Sequence, residues 1–179
     1  KGKGAAVRYG MLKANGAWRV MADCDLAVDP WQIWQMYKQR SEADIVIASR
    51  YTLGARRIGE PRYRHWMSRL FNGLVRALAL PGIADSQCGF KMFSAAAAID
   101  CFSLQTLTSY AFDVEVLYIA RKLGYTIREY PVIWRHSRDS RVRLVTDALL
   151  MLRDLLTIRR NERAGAYRLI PLTMAQDKI

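Results

Sequence analysis

Trp18-Arg19-Val20-Met21-Ala22-Asp23-Cys24-Asp25 decides how this chain reads: an apolar run of strand type that ends in two carboxylates one residue apart. A strand ending in this way delivers hard oxygen ligands to the edge of a sheet, where Mg²⁺ or Mn²⁺ can hold a diphosphate. The same pattern is also ordinary composition for a solvated loop, so the neighbouring segments have to decide between the two readings.

Upstream, Ala5 to Ala14 is expected to be helical, entered from the glycine-rich Lys1-Gly2-Lys3-Gly4 and stopped by Asn15-Gly16. Downstream, Asp29-Pro30 places an N-cap and an N1 proline at the head of a helix running to about Arg40. Asp44 to Ser49 then reads as a short, fully apolar strand. Helix, strand, helix, strand at these lengths is an α/β order and implies a mostly parallel, buried sheet. Asp85-Ser86-Gln87-Cys88-Gly89-Phe90-Lys91 follows the Pro81-Gly82 break and reads as a site-lining loop, with Ser94 capping an alanine-rich helix after it. Ala111 to Leu123, ended by Gly124, is a further helix on which Asp113 and Glu115 sit two apart and diverge. The last strand runs from Thr126 to Trp134, and Pro131 marks it as an edge or bulged one.

The 179 residues fit one domain, and 51% hydrophobic with 25% charged residues describes a chain that buries a core and excludes disorder. Against 16 Asp+Glu stand 28 Lys+Arg, a formal net charge of +12, so the expected partners are anions: nucleotide phosphates, lipid phosphates, an acidic membrane or nucleic acid, among which charge alone does not choose. Cys24, Cys88 and Cys101 form neither a C-x-x-C pair nor an even framework, which points to a reducing, cytoplasmic setting. No apolar run reaches the ~18 residues of a spanning helix. The opening, which is not Met, is expected to be the interior of a longer protein.

Seven arginines (50, 56, 57, 62, 64, 69 and 76) stand against the single Glu60 between Arg50 and Arg76, interleaved with Tyr51, Tyr63, Trp66 and Phe71. Trp66, Leu70, Leu74 and Leu78 recur at helical spacing after Pro61. Two readings stand: an anion site, or a surface helix with a solvated basic face. A basic helix from about Leu144 likewise either lies on an anionic membrane or caps the sheet with Leu144, Ala148, Met151, Leu152 and Leu155.

The segments Lys1-Gly2-Lys3-Gly4-Ala5-Ala6-Val7-Arg8, Asp23-Cys24-Asp25-Leu26, Ile47-Ala48-Ser49-Arg50, Asp85 to Phe93, Phe112-Asp113-Val114-Glu115 and Val132 to Arg141 occur in the order found in one family. Together they resemble the dolichyl-phosphate glucosyltransferase branch of glycosyltransferase family 2. The resemblance implies a GT-A, Rossmann-like fold lacking its N-terminal half. The chain is expected to divide into a partial glycosyltransferase domain at 1–143, an amphipathic helix at 144–163, for which the membrane-surface and sheet-capping readings both stand, and a tail at 164–179. The resemblance also implies inverting transfer of glucose from UDP-glucose, a nucleotide-diphosphate sugar, to a polyprenyl phosphate at the cytoplasmic face of a membrane.

By that resemblance Asp25, with Asp23, holds Mg²⁺ or Mn²⁺ against the donor, and Lys3, Arg50, Arg64, Arg135 and Arg141 meet phosphate. Asp85, Gln87 and Gly89 shape the sugar pocket, and Asp113 occupies the place where members that transfer to hydroxyls keep a base, with orienting the sugar or holding an arginine as its alternative roles here. Cys24 stands where the family usually has alanine, and Arg141 where it commonly has lysine. Two rivals remain at this stage, a nucleic-acid binder using the Arg50 to Arg76 strip and a non-catalytic relic of the fold.

Overall fold

The computed structural model describes residues 2–136 and 144–169. Its main sheet has four strands in the order β1 (Trp18–Ala22), β4 (Phe90–Ser94), β2 (Ile45–Ser49), β5 (Ile127–Pro131). β4 pairs antiparallel with both β1 and β2, and β2 pairs parallel with β5, so β1, β2 and β5 share one direction and β4 runs against them. The expected α/β fold with a mostly parallel sheet is present, with one reversed strand set into its middle.

The sequence reading missed β4, taking its start as loop. Phe90 to Phe93 are all buried, including Lys91, so the segment shows neither a polar face nor an unbroken apolar run. On β2, Ile45 and Ile47 join one hydrophobic cluster while Val46 and Ala48 join another, which is the period-two signature of a strand covered on both faces. The larger cluster is closed by α1 (Lys3–Lys13), α4 (Ala95–Leu104) and α5 (Phe112–Lys122), and the smaller receives Met36 from α2 (Trp31–Lys38).

Local chemistry sets the ends of these elements. Asp29 Oδ1 accepts from the Trp31 amide at 2.9 Å, and Ser94 Oγ accepts from the Ala97 amide at 3.3 Å. Gly124, at φ 85°, ends α5 where an L side chain would be strained. The expected strand 126–134 is split: β5 stops at Pro131, Val132 passes beneath, and β6 (Ile133–Arg135) pairs parallel with β3 (Arg56–Ile58) in a second small sheet.

α6 (Leu144–Arg163) inserts Leu155 and Ile158 fully into the larger cluster, while Met151 is half-buried and Leu152 exposed. Part of its apolar face therefore closes the core. Beyond it Tyr167 is buried, and its hydroxyl donates to Glu115 Oε1 at 2.8 Å. Glu115 also accepts from the Thr106 and Leu107 amides, so one carboxylate ties α5, the loop before it and the segment after α6 together. α3 (Arg62–Leu78) departs from expectation in a different way: Trp66, Leu70, Leu74 and Leu78 face outward.

Candidate active site

The two aspartates sit in a tight turn directly after β1. The Asp23 amide donates to Gly89 O at 3.0 Å and the Leu26 amide to Asp23 O at 3.3 Å. Asp25 Oδ1 accepts from the Ala27 amide at 3.1 Å. Leu26 is left-handed at φ 50°, a conformation disfavoured for a branched side chain and typical of backbone held by its surroundings. Asp25 is exposed and Asp23 half-buried, so both carboxylates reach solvent. A Cβ on Gly89 would lie 2.1 Å from Asp23 Oδ2, so only glycine leaves that carboxylate in place. The aspartate turn and the loop 85–89 are thus one unit.

Behind the turn runs a line of alternating charge. Lys3 Nζ lies 2.7 Å from Asp23 Oδ1, and Asp113, on the first turn of α5, pairs with Lys91 Nζ at 2.6 Å. Burial alone would lower the Lys3 pKa, but the fields of Asp113 and Asp23 outweigh it and hold the ammonium above its ordinary value. Lys91 also donates to Cys88 O at 2.7 Å, and both it and Asp113 are buried. Asp113, which the resemblance put in a base's place, is paired through Oδ1 with Lys91.

Asp85, expected in the sugar pocket, is wholly buried. It accepts Arg50 Nε at 2.7 Å and Arg50 Nη2 at 2.9 Å, and its Oδ2 also takes the Arg50 amide at 2.9 Å. Burial pushes the Asp85 carboxyl up, and the Arg50 guanidinium more than reverses this, leaving it below the usual carboxylate range. Arg50, expected on phosphate, spends two of its donors on this carboxylate. The loop is fixed from below by Glu129, which accepts the Ala84 amide at 2.7 Å and the Asp85 amide at 2.9 Å. Gln87 is half-buried, with Nε2 3.8 Å from Met151 Sδ on α6. Cys88 is buried and its thiol pushed up to about 12 by burial, so it packs and does not react.

β6 flanks the aspartate turn. The Arg135 amide donates to Ala27 O at 2.7 Å, and Val28 bridges antiparallel to Trp134. Arg135, exposed, lines an open cleft of about 510 Å³ with Ile58, Gly59, Pro61 and His136. Arg64 is half-buried on the first turn of α3, its Nε 3.4 Å from the neighbouring Tyr63 hydroxyl. Arg141 lies outside the described residues. The basic strip is not one surface: Arg50 binds Asp85, and Arg57 binds Glu60 while its guanidinium sits over Tyr51 at 4.7 Å and Trp134 at 5.6 Å.

The model of the family described as "Glycosyl transferase family 2" matches residues 1–102, from the lysine-glycine entry through the aspartate turn and β4. The chain belongs to glycosyltransferase family 2. Among curated family-2 relatives, the dolichyl-phosphate beta-glucosyltransferase of Mus musculus is 36% identical over 94% of this chain and 55% of its own length. Those of Homo sapiens and Saccharomyces cerevisiae are 35% and 30% identical over the same share of this chain. The chain spans about half the length of these relatives.

Solved structures superpose on it at low identity. Glucosyl-3-phosphoglycerate synthase from Mycobacterium tuberculosis, in complex with UDP, gives a TM-score of 0.63 at 18% identity, over 88% of this chain and 55% of that one. Mannosyl-3-phosphoglycerate synthase from Rubrobacter xylanophilus gives 0.63 at 20% identity, over 97% and 54%. The fold is that of the GT-A glycosyltransferases, and the matched portion is part of it.

The turn presents two solvent-reaching carboxylates, hard oxygen donors of the type a divalent cation takes. Among the described residues no group of three or more His, Cys, Asp or Glu gathers, so a cation there would draw its remaining ligands from a diphosphate and water. The Lys3 ammonium against Asp23 Oδ1 shows that this position favours positive charge. Sequence reasoning assigned no role to Lys91, Glu129 or Glu115. Lys91 had one visible signal, a lysine inside the otherwise uncharged run Ser86 to Phe93. Glu129 had none, because its partners are backbone amides 44 and 45 residues away.

Proposed function

We propose that the protein of which this chain is part transfers a sugar, glucose from UDP-glucose, to a polyprenyl phosphate of the dolichyl type with inversion. The observation that carries the acceptor class is the buried Lys91–Asp113 pair. A hydroxyl acceptor needs a base to take its proton, whereas a phosphate monoester has a second pKa near ~6 and presents an anionic oxygen at neutral pH. With Asp113 committed to Lys91 at 2.6 Å, a site without a free base at that position suits a phosphate acceptor.

In this reading the phosphate oxygen forms a bond to the anomeric carbon as the bond from that carbon to the diphosphate breaks. The electron pair leaves with the diphosphate, and no proton moves. Asp23 and Asp25 would hold Mg²⁺ or Mn²⁺, whose charge offsets that of the departing diphosphate. Lys3 lines the same carboxylate, Gly89 keeps Asp23 in place, and Arg135 stands beside the turn with donors for an incoming phosphate. Gln87, half-buried on the same loop, would shape the sugar pocket. Peripheral residence at the cytoplasmic face of a membrane belongs to the proposal and rests on the net charge of +12.

The test is synthesis of polyprenyl-phosphate glucose by the purified full-length protein with UDP-glucose and Mg²⁺ or Mn²⁺. Asp25→Asn is expected to abolish product while the unfolding midpoint stays within the range of surface substitutions. No product from any common UDP- or GDP-sugar would overturn the reading.

A further inference from the structure

α3 is built inside out. Its inward side carries Ser68, hydrogen-bonded to Tyr51 at 2.6 Å, and the buried Asn72 and Val75. Its outward side carries Tyr63 at 57% exposure, Trp66 at 70%, Leu70 at 71%, and Leu74 and Leu78 at 39% each. On a helix with 3.6 residues per turn, Trp66, Leu70, Leu74 and Leu78 form one continuous row. Arg62, Arg69 and Arg76, each seven apart and all exposed, run along one margin of it. α3 contains no acidic residue. A row of this kind facing water is unfavourable on its own, and contiguous exposed apolar patches mark contact surfaces.

The charge along the row selects the occupant. A uniformly basic margin, an aromatic pair at one end and leucines along the rest match the headgroup and acyl boundary of an anionic bilayer. We infer that α3 is the element that seats this chain on an anionic lipid surface. α6 has already committed Leu155 and Ile158 to the core. The aromatic end of α3 also adjoins the site: Arg62, His65 and Trp66 share a cleft with Arg57, and Pro61 shares the neighbouring one with Arg135. A lipid phosphate arriving from a bilayer under α3 would enter at the end where Arg135 stands. The inference rests on the lipid-acceptor reading for its purpose and on the exposed row for its substance.

Flotation of the 179-residue chain with phosphatidylcholine vesicles, with and without phosphatidylserine, tests it. The wild type is expected to float with the anionic vesicles. Leu70→Ser/Leu74→Ser should lose about tenfold or more in partitioning, through lost apolar burial. Arg62→Gln/Arg69→Gln/Arg76→Gln should lose on the order of a hundredfold, at roughly a fivefold factor per basic residue near the surface. Leu156→Ser, at an exposed position of α6, should float like wild type.

Because all the altered α3 residues are exposed, circular dichroism melts should be unchanged, which separates lost binding from lost fold. Brominated lipid should quench Trp66, and Trp66→Phe should remove that component. The inference is overturned if Leu70→Ser/Leu74→Ser floats like wild type, or if the wild type fails to float. It is equally overturned if the row instead holds a dimer that the same substitutions dissociate. Flotation of the wild type and its loss in Leu70→Ser/Leu74→Ser, while the wild-type full-length protein makes no lipid-linked sugar, would leave the inference standing and remove the proposed function.

Discussion

Replacing Lys91 with Met leaves the Asp113 carboxylate 4% exposed and without its 2.6 Å partner, while the methionine fills much the same space. Stripping one partner from a buried ion pair costs about 3–5 kcal/mol, because the other charge stays desolvated. Lys3 lies within the field of Asp113 and retains some compensation, so about 3 kcal/mol is the expected loss. For a chain of this length each 1 kcal/mol lowers Tm by roughly 2–4 °C, so Lys91→Met should melt about 6–12 °C below wild type. Asp113→Leu alone should lose a similar amount by stranding Lys91. The double variant Lys91→Met/Asp113→Leu removes both charges and should recover to within about 1–2 kcal/mol of wild type.

Urea unfolding followed by circular dichroism measures all four corners of that cycle. Losses that simply add would refute the coupling on which the site description depends. The cycle also separates two roles for Asp113. If the carboxylate is only a structural partner, the refolded double variant in the full-length protein still makes lipid-linked sugar; a stable double variant without turnover would return Asp113 to the role of a base.

Two further outcomes check other parts of the site. With Cys24 exposed and Cys88 and Cys101 buried, their thiols pushed up to about 12, a thiol reagent near neutral pH should label one cysteine in the native chain and three after denaturation. Labelling of Cys88 before unfolding would contradict its packing role. Asp85, held below its unfolded pKa of ~3.9 by Arg50, contributes stability that is present above that pH and lost as pH falls through the lower folded value. The stability gap between wild type and Asp85→Asn should therefore be large at neutral pH and shrink below about pH 3.9, and a gap constant across that range would refute the assignment.

Much of this was legible in the chain because it is local. The run Trp18 to Ala22 is a strand with the expected bounds, Asp29 and Ser94 cap the helices they precede, and Gly124 ends α5. Each depends on residues a few positions apart, where backbone geometry and side-chain type suffice. The family was legible for a related reason: the motifs that carry the resemblance lie far along the chain from one another but each is compact.

What the sequence by itself determined, then, is the α/β order, the aspartate turn and the family. The tertiary structure decided which charges are free. Asp85 and Arg50 are 35 residues apart, Lys91 and Asp113 are 22 apart, and Glu129 reaches amides 44 and 45 residues away, so their pairing appears only when β2, β4, β5 and α5 are assembled. The outward row of α3 was decided at the same level. A helical apolar period states that one face differs from the other but not which face meets the core, and here the core took Asn72 and Val75 and left Trp66 and Leu70 outside. Periodicity is a property of one element, whereas burial is a property of the neighbours that it is packed against.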